Sequence, residues 1–486
     1  MNLPPPDELR RDTRAQPFFE LVLEALPYSP NEGQEQVIAA FAHFLFRGAT
    51  RSAFVLNGYA GTGKTSLAGA LVRALKRLHM KTVLLAPTGR AAQVFSEYAG
   101  HQAYTIHRRI YRQDSYQGEG FSLAENKHTH TLFIVDEASM IANSPGEAGA
   151  TFGSGRLLDD LIAYVYSGDG CRLMLMGDTA QLPPVGQLES PALSARVLGG
   201  YNLTIYDLRL SRIARQAAGS GILHNATLVR DIIDSGMLVS PRLEVEGRDD
   251  IESITGEFLL EAIGDSYDSR GLDETIIVTR SNRRATLFNA GVRNQILYRE
   301  EELAVGDLLL VAKNNYYWAA DSKEVDFIAN GDRVEVLRIW GEEERLYGLR
   351  FVNATIRLTD RDGLELDVKI ILDSLFSDTP ALTREQTDGL FNGVMATLEG
   401  DRRHRFTQLK ADPYFNALQV KFAYCVTCHK AQGGQWQNVF IDMGSIMPDA
   451  FEQLDFLRWL YTALTRARRH VYLVNTPRAL LATSDE

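Results

Sequence analysis

The octapeptide Gly58-Tyr59-Ala60-Gly61-Thr62-Gly63-Lys64-Thr65 constrains this chain more than any other stretch. It reads G-x-x-x-x-G-K-T. An apolar run, Ala53 to Leu56, precedes it, and Leu67, Leu71, Leu75 and Leu78 follow at helical spacing. Strand, glycine loop and helix, in that order, form the setting in which this pattern holds phosphate. The glycines let successive N–H groups turn toward one point, where they and the helix N-terminus meet phosphate oxygens. Lys64 is placed to reach the β- and γ-phosphates. Thr65, with Ser66 beside it, is placed to hold Mg²⁺ through its hydroxyl. Gly58, Gly61, Thr62, Gly63, Lys64, Thr65 and Ser66 are thus the expected cradle for ATP and Mg²⁺.

A chain of 486 residues is too long for one ordinary core, so two to four domains are expected. Hydrophobic residues make up 45% and charged residues 23%, which excludes a low-complexity or fibrous chain. Residues 1–20 mix Pro, Arg, Asp and Glu without an apolar h-region, so no signal peptide is expected. No apolar run approaches the roughly 18 residues of a membrane span. Cys171, Cys425 and Cys428 make no disulfide framework. A cytoplasmic chain follows as the expectation. The formal net charge of −11 weighs against a nucleic-acid partner if taken alone. It weighs little for a narrow channel, where a few Arg, Lys and backbone N–H groups suffice to grip a strand.

Residues 1–27 read as a polar lead-in. Short apolar runs at Ala53–Leu56, Val83–Ala86, Leu132–Val135 and Leu173–Met176 alternate with helical patterns. This predicts an α/β domain over 28–205 with a parallel sheet covered on both faces. A second set, Ile276–Thr279, Val420–Val426, Val439–Asp442 and Val471–Val474, predicts another α/β domain over 206–330 and 422–486. Hairpin-like alternation between them, over 331–421, predicts a small β-barrel insertion carrying a charged helical piece at about 377–414. Within the first domain, residues 108–131 predict a short β-hairpin around the turn Gln117-Gly118-Glu119-Gly120.

Leu132-Phe133-Ile134-Val135-Asp136-Glu137 is a buried strand ending in two carboxylates. Ligands of α/β sheets gather at strand C-termini. Asp136 is the expected Mg²⁺ ligand, and Glu137 the expected base for the attacking water. Gly177-Asp178-Thr179-Ala180-Gln181 also follows a strand, and the Gln181 amide is placed to sense the γ-phosphate.

The order GYAGTGKT, APTGRAA (Ala86–Ala92), IVDEASM (Ile134–Met140), GDTAQLPPVG (Gly177–Gly186), TCHKAQGGQW (Thr427–Trp436) and YTALTRAR (Tyr461–Arg468) resembles superfamily 1 helicases. Within them it is most similar to the RecD/Dda type, superfamily 1B, over about residues 28–475. The resemblance implies two RecA-like domains, an SH3-like barrel at 331–421, and an ATP-dependent DNA helicase moving 5′ to 3′ on single-stranded DNA in replication, recombination or repair. It implies Gln34 as the adenine-reading residue and Arg215 and Arg466 as arginines acting on the γ-phosphate. Gln432 and Gly433 fall near the nucleotide. Pro87, Thr88, Thr105 and His107, with Thr427, His429 and Lys430, become contacts to the strand. The 108–131 hairpin becomes the pin that splits the duplex, with Phe121 either stacked on the last base pair or packed against the neighbouring domain. Single-stranded DNA and its junctions with duplex are the implied partners of a monomer.

Cys425-Val426-Thr427-Cys428 has the C-x-x-C spacing, but no second pair accompanies it, so no structural metal is expected. Three other readings stay open. One is an RNA helicase or RNP remodeller, because these motifs do not sense a 2′-hydroxyl. Another is a P-loop switch that does not unwind. The third is a RecD-like subunit of a nuclease complex.

Overall fold

Strand β1 (Ser52–Gly58) is buried along its whole length, and its side chains divide between two cores. Phe54 and Leu56 join one apolar cluster, Ala53 and Val55 the other. The same alternation runs through β2 (Thr82–Ala86), whose Leu84 and Ala86 face one way and Val83 and Leu85 the other. Successive side chains of a strand point to opposite faces, so both faces of this sheet are covered. After β3 (Ala103–Thr105), the strands β4 (Tyr111–Gln113) and β5 (Phe121–Leu123) pair as a separate antiparallel hairpin. The sheet resumes with β6 (Leu132–Val135), β7 (Arg172–Gly177) and β8 (Thr204–Leu210). Its order is β3-β2-β6-β7-β1-β8, and every pairing is parallel.

One core is aromatic. Phe41 meets Phe54 edge-on at 5.1 Å, and Phe44 lies 5.5 Å from Tyr206. These rings come from the helix Glu32–Arg47 and from β1 and β8, so they press that helix onto the sheet.

The computed structural model describes residues 15–113, 121–144, 153–212, 219–320, 322, 327–359, 363–444 and 446–482. Two compact units emerge. The first takes residues 1–87, 91–241 and 451–465, and the second takes 88–90, 242–450 and 466–486.

The second unit holds β9 (Ile251–Ile254), β10 (Thr275–Thr279), and the barrel strands β11 (Leu308–Val311), β12 (Arg333–Leu346), β13 (Leu349–Leu358), β14 (Glu365–Ile371) and β15 (Leu418–Phe422). It closes with β16 (Cys425–Thr427), β17 (Trp436–Asp442) and β18 (Ala467–Val474). The open sheet runs β16-β10-β17-β18-β9, again all parallel. The fold is therefore α/β, with two parallel sheets and an inserted closed barrel of five strands.

The structure redraws three expected elements. The first sheet runs past residue 205, because β8 continues to Leu210 beside β1. The barrel closes through Leu308–Val311, upstream of 331, because β11 pairs with both β12 and β15. The run Val420–Val426 is two strands, not one. Tyr424 sits at the break, donating to Asp307 Oδ1 at 2.9 Å and accepting from Leu308 N at 3.2 Å. The chain leaves the barrel there and enters the sheet at Cys425.

Candidate functional site

Parallel strands place all their carboxyl ends on one edge. In the first unit that edge carries Gly58, Pro87, Thr105, Asp136 and Asp178, each at or just after a strand end. Three neighbouring registers, Leu85 with Val135, Val135 with Leu175 and Asn57 with Gly177, bring these ends level.

The glycine loop leaves β1 and enters the helix Lys64–Arg77 through Gly63 at φ 78°, with Gly61 at φ 73°. Both are left-handed positions that only glycine adopts freely. Space is equally tight at Gly63, where a Cβ would stand 2.5 Å from the Tyr28 hydroxyl and 2.6 Å from Gln34 Nε2. Thr62 is fully buried and its hydroxyl donates to the Tyr59 carbonyl at 2.8 Å. Thr65 is exposed, and Lys64 and Ser66 are half-buried.

Gln34 is 1% exposed and fully engaged. Its Oε1 accepts from Asn31 N at 3.1 Å, and its own N donates to Asn31 Oδ1 at 3.0 Å, a reciprocal helix cap. Its Nε2 donates to the Thr62 carbonyl at 3.1 Å. Here the Gln34 side chain is a strut between the helix Glu32–Arg47 and the glycine loop.

Asp136 is buried, and the Tyr98 hydroxyl donates to its Oδ2. Burial pushes the Asp136 carboxyl above its ordinary range, opposed by the nearby Lys64 ammonium and assisted by Glu137. Asp178, 2% exposed, is raised by burial too and drawn back by Lys64. One ammonium thus faces a cluster of carboxylates. Three buried acceptors at this edge, Asp136 Oδ1, Glu137 Oε2 and Gln181 Oε1, have no hydrogen-bond partner. Buried oxygens are seldom left so. Unpaired oxygens beside a phosphate-shaped loop are the donor set of a hard divalent cation and a polarised water, so the residues fit Mg²⁺. Glu137 has φ 52°, a left-handed conformation unusual for a side chain larger than glycine. It immediately precedes the short turn Ala138–Met140, and its side chain makes no capping hydrogen bond there.

Two residues here escaped the sequence reading. Asp178 shares the edge with Asp136. The Tyr461 hydroxyl donates to Asp178 Oδ2 at 2.6 Å and accepts from Ala60 N at 2.9 Å. Tyr461 lies in the helix Leu454–Leu464, which belongs to the first unit, and Thr462 Oγ1 in the same helix accepts from Leu182 N at 2.9 Å. A strand-end Asp in Gly177-Asp178 was the available signal for the first. Nothing local in the sequence signals the second.

Thr105 uses its hydroxyl to cap the helix Ile106–Ile110, accepting from Arg108 N at 3.2 Å. Burial lowers the His107 imidazole to about 4, so it is neutral near pH 7. Pro87 and Thr88 follow the end of β2 and are half-buried. Phe121, at the start of β5, is half-buried against the first unit's own apolar core. The tip, residues 114–120, lies outside the described residues, as do Arg215 and residues 1–14.

In the second unit, Thr427 ends β16 beside Thr279 at the end of β10. A cleft there is lined by Asn282, Thr286, Ser377, Lys421, Thr427 and Lys430. Burial lowers Lys430, and burial with the Lys430 charge brings Lys421 to about 8. Lys421, from the barrel strand β15, is a further cation that sequence reading missed. His429 is exposed. Gln432 is buried, and Gly433 has φ 75°. Arg466 is 2% exposed, with Nη1 donating to the Gly434 carbonyl at 3.2 Å. Cys425 and Cys428 are buried, and burial raises both thiols, Cys428 to about 12. Such thiols are poor nucleophiles and poor ligands. Among the described residues no group of three or more His, Cys, Asp or Glu is placed to hold a metal, and no helix is long and apolar enough to cross a membrane.

Two family models match the chain. An AAA domain covers residues 29–231, and a UvrD-like helicase C-terminal domain covers residues 422–474. The ATP-dependent RecD2 DNA helicase of Deinococcus radiodurans is 34% identical over 178 residues, which is 35% of this chain and 21% of that one. The ATP-dependent DNA helicase dda of Enterobacteria phage T4 is 25% identical over 452 residues, covering 86% of this chain and 93% of its own. An uncharacterized protein of Methanocaldococcus jannaschii, MJ1519, is 25% identical over 468 residues. The chain spans 36% of the archaeal protein and 21% of the Deinococcus protein, but nearly the whole phage protein. A crystal structure of Pif1 helicase from Bacteroides, in complex with ADP-AlF3 and ssDNA, aligns at 16% identity and TM-score 0.46 over 93% of this chain and 94% of that one.

Proposed function

We propose, because the chain belongs to the superfamily 1B helicases, that it is an ATP-dependent DNA helicase moving 5′ to 3′ along single-stranded DNA. The observation that carries the reading is the edge of the first sheet. A glycine loop with its lysine stands there beside the carboxylates of Asp136, Glu137 and Asp178, of which Asp136 Oδ1 and Glu137 Oε2 are buried and unpaired.

In this reading the loop N–H groups and Lys64 hold the β- and γ-phosphates, and Thr65 and Asp136 hold Mg²⁺. The metal supplies charge neutralisation on the phosphoryl oxygens. Glu137 takes the proton of the attacking water, and Gln181 orients that water toward phosphorus. Arg215 and Arg466 stabilise the transferring phosphoryl group, on the strength of the motif resemblance. Adenine recognition by Gln34 requires its amide to give up part of the helix cap. Pro87, Thr88, Thr105, Thr427, His429 and Lys430 grip the strand through hydroxyls, N–H groups and charge, which needs no base reading. His107, being neutral, contributes as a donor and not as a cation. The relatives from Deinococcus and phage T4 are named DNA helicases, which favours DNA over RNA. A cytoplasmic monomer without a structural metal completes the proposal.

ATPase stimulation separates the substrates. Poly-dT should accelerate ATP turnover well above the basal rate and above poly-U. Equal stimulation by both would move the assignment to an RNA-directed or nonselective motor.

A further inference from the structure

The barrel strands β14 and β15 are parallel neighbours, Ile370 beside Leu418. Parallel neighbours need a long crossover. Here the crossover carries two helices, Arg384–Thr397 and Arg402–Lys410, whose function the helicase reading leaves unassigned. They are seated firmly. Leu390, Val394 and Leu409 share a core with Leu349, Phe351 and Ile371 of the barrel, and Phe391 meets Phe406 at 6.1 Å. Asp401 caps the second helix by accepting from His404 N at 2.8 Å.

That second helix, Arg-Arg-His-Arg-Phe-Thr-Gln-Leu-Lys, has four cations and no acid in nine residues, in a chain of net charge −11. Arg402, Arg403, His404, Thr407 and Lys410 are exposed. Among the described residues, Arg402, Arg403, Arg405 and Lys410 form no ion pair, although acidic side chains outnumber basic ones along the chain, 62 to 51. Arg403, Thr407 and Lys410 fall on one face at i, i+4 and i+7. They span about 10 Å of helix axis. That is close to three steps of one duplex strand at about 3.4 Å each.

We propose that this helix is a docking surface for the phosphate backbone of duplex DNA, the arm ahead of the strand being unwound. The proposal rests on the helicase reading. Two features favour duplex over other occupants. Protein interfaces are anchored by exposed aromatic or aliphatic side chains, and none of the exposed large hydrophobic residues lies on this helix. Single strands are held by stacking on exposed aromatics, and the helix's one Phe, Tyr or Trp ring, Phe406, faces Phe391 and sits under Arg402 at 5.7 Å. Charge without stacking suits a backbone read for shape alone, while the Thr407 hydroxyl donates to the Arg403 carbonyl at 3.1 Å.

The test is the salt dependence of binding by the full-length chain to a tailed duplex and to oligo-dT, for wild type and for Arg403→Ala/Lys410→Ala. The double variant should weaken tailed-duplex binding by roughly tenfold or more at about 0.1 M salt. The slope of log K against log salt should fall by about 1.8, two phosphate contacts at about 0.9 each. Oligo-dT affinity, oligo-dT-stimulated ATPase and the unfolding midpoint should match wild type. Unchanged tailed-duplex affinity and slope overturn the proposal, as does an equal loss on oligo-dT, which would put the cations on the single-strand path. In either case the wild type still unwinds. A wild type that binds no DNA of any kind removes the helicase reading and this proposal with it.

Discussion

The Tyr461 hydroxyl donates to Asp178 Oδ2 at 2.6 Å, joining residues 283 apart in the chain. The Tyr461 hydroxyl oxygen also accepts from Ala60 N in the glycine loop at 2.9 Å. A helix far downstream is thereby bonded both to the loop and to a carboxylate that faces Lys64. That helix ends one residue before Thr465, and Arg466 follows in sequence.

Tyr461→Phe should expose the worth of this link. It removes both hydrogen bonds and leaves the buried Asp178 carboxyl short of a donor. The expected cost is about 1–3 kcal/mol of stability. Urea unfolding measures the cost, and an ATP titration should show a raised KM. A variant unchanged in both would mean the hydroxyl is dispensable.

Glu137→Gln should keep nucleotide binding and lose turnover by about 10²–10⁴-fold, the usual contribution of a positioned base. Fluorescent-nucleotide binding alongside steady-state ATPase separates the two effects. Wild-type turnover would remove Glu137 from the role of base.

Burial raises Asp136, so its protonated form persists above the ordinary carboxylate range. Without metal, that preference stabilises the fold at low pH and is lost as pH rises through the raised value. Mg²⁺ needs the carboxylate, so Mg²⁺-dependent nucleotide affinity should weaken on acidification before an ordinary Asp would protonate. Titrations at several pH values in wild type and Asp136→Asn test this. The variant should bind nucleotide nearly independently of Mg²⁺. Identical pH profiles would contradict the assignment.

His107 gives the opposite sign. Its pKa falls from 6.5 to about 4 through burial. Folding stability from keeping it neutral is present above 6.5 and lost as pH falls toward 4, on the order of 1–3 kcal/mol. His107→Gln should flatten that part of the stability–pH curve in urea unfolding. A curve of unchanged slope would show that other groups set the acid limit.

Sequence periodicity exposed the elements whose signals are local. The runs at Ala53–Leu56, Val83–Ala86, Leu132–Val135 and Leu173–Met176 are strands because alternate side chains serve two cores. The glycine loop was legible because backbone geometry demands glycine at 61 and 63. Partners distant in sequence were not. Tyr461 looks like one apolar position on a helix, and only the tertiary fold puts its hydroxyl beside Asp178. The break at Ala423-Tyr424 was hidden for a similar reason. A continuous apolar run does not reveal that Leu418–Phe422 serves the barrel and Cys425–Thr427 the sheet. Gln34 shows a third case, since polar spacing does not reveal that both ends of an amide are already occupied.

Asp307 holds that break together. It is fully buried and accepts from Arg293 at 2.9 Å, from Arg299 at 2.6 Å and from Tyr424. Asp307→Ala strands two guanidinium groups and should cost about 3–5 kcal/mol. Chemical unfolding of the variant reads this, and a loss below about 1 kcal/mol would show the cluster to be well solvated.

The central claim, that ATP hydrolysis at this edge drives strand separation, is tested most directly by unwinding paired duplexes carrying a 5′ or a 3′ single-stranded tail. The 5′-tailed duplex should separate only with ATP, the 3′-tailed one should not, and Lys64→Ala should separate neither. ATP hydrolysis stimulated by single strands, with no separation from either tail, would contradict it.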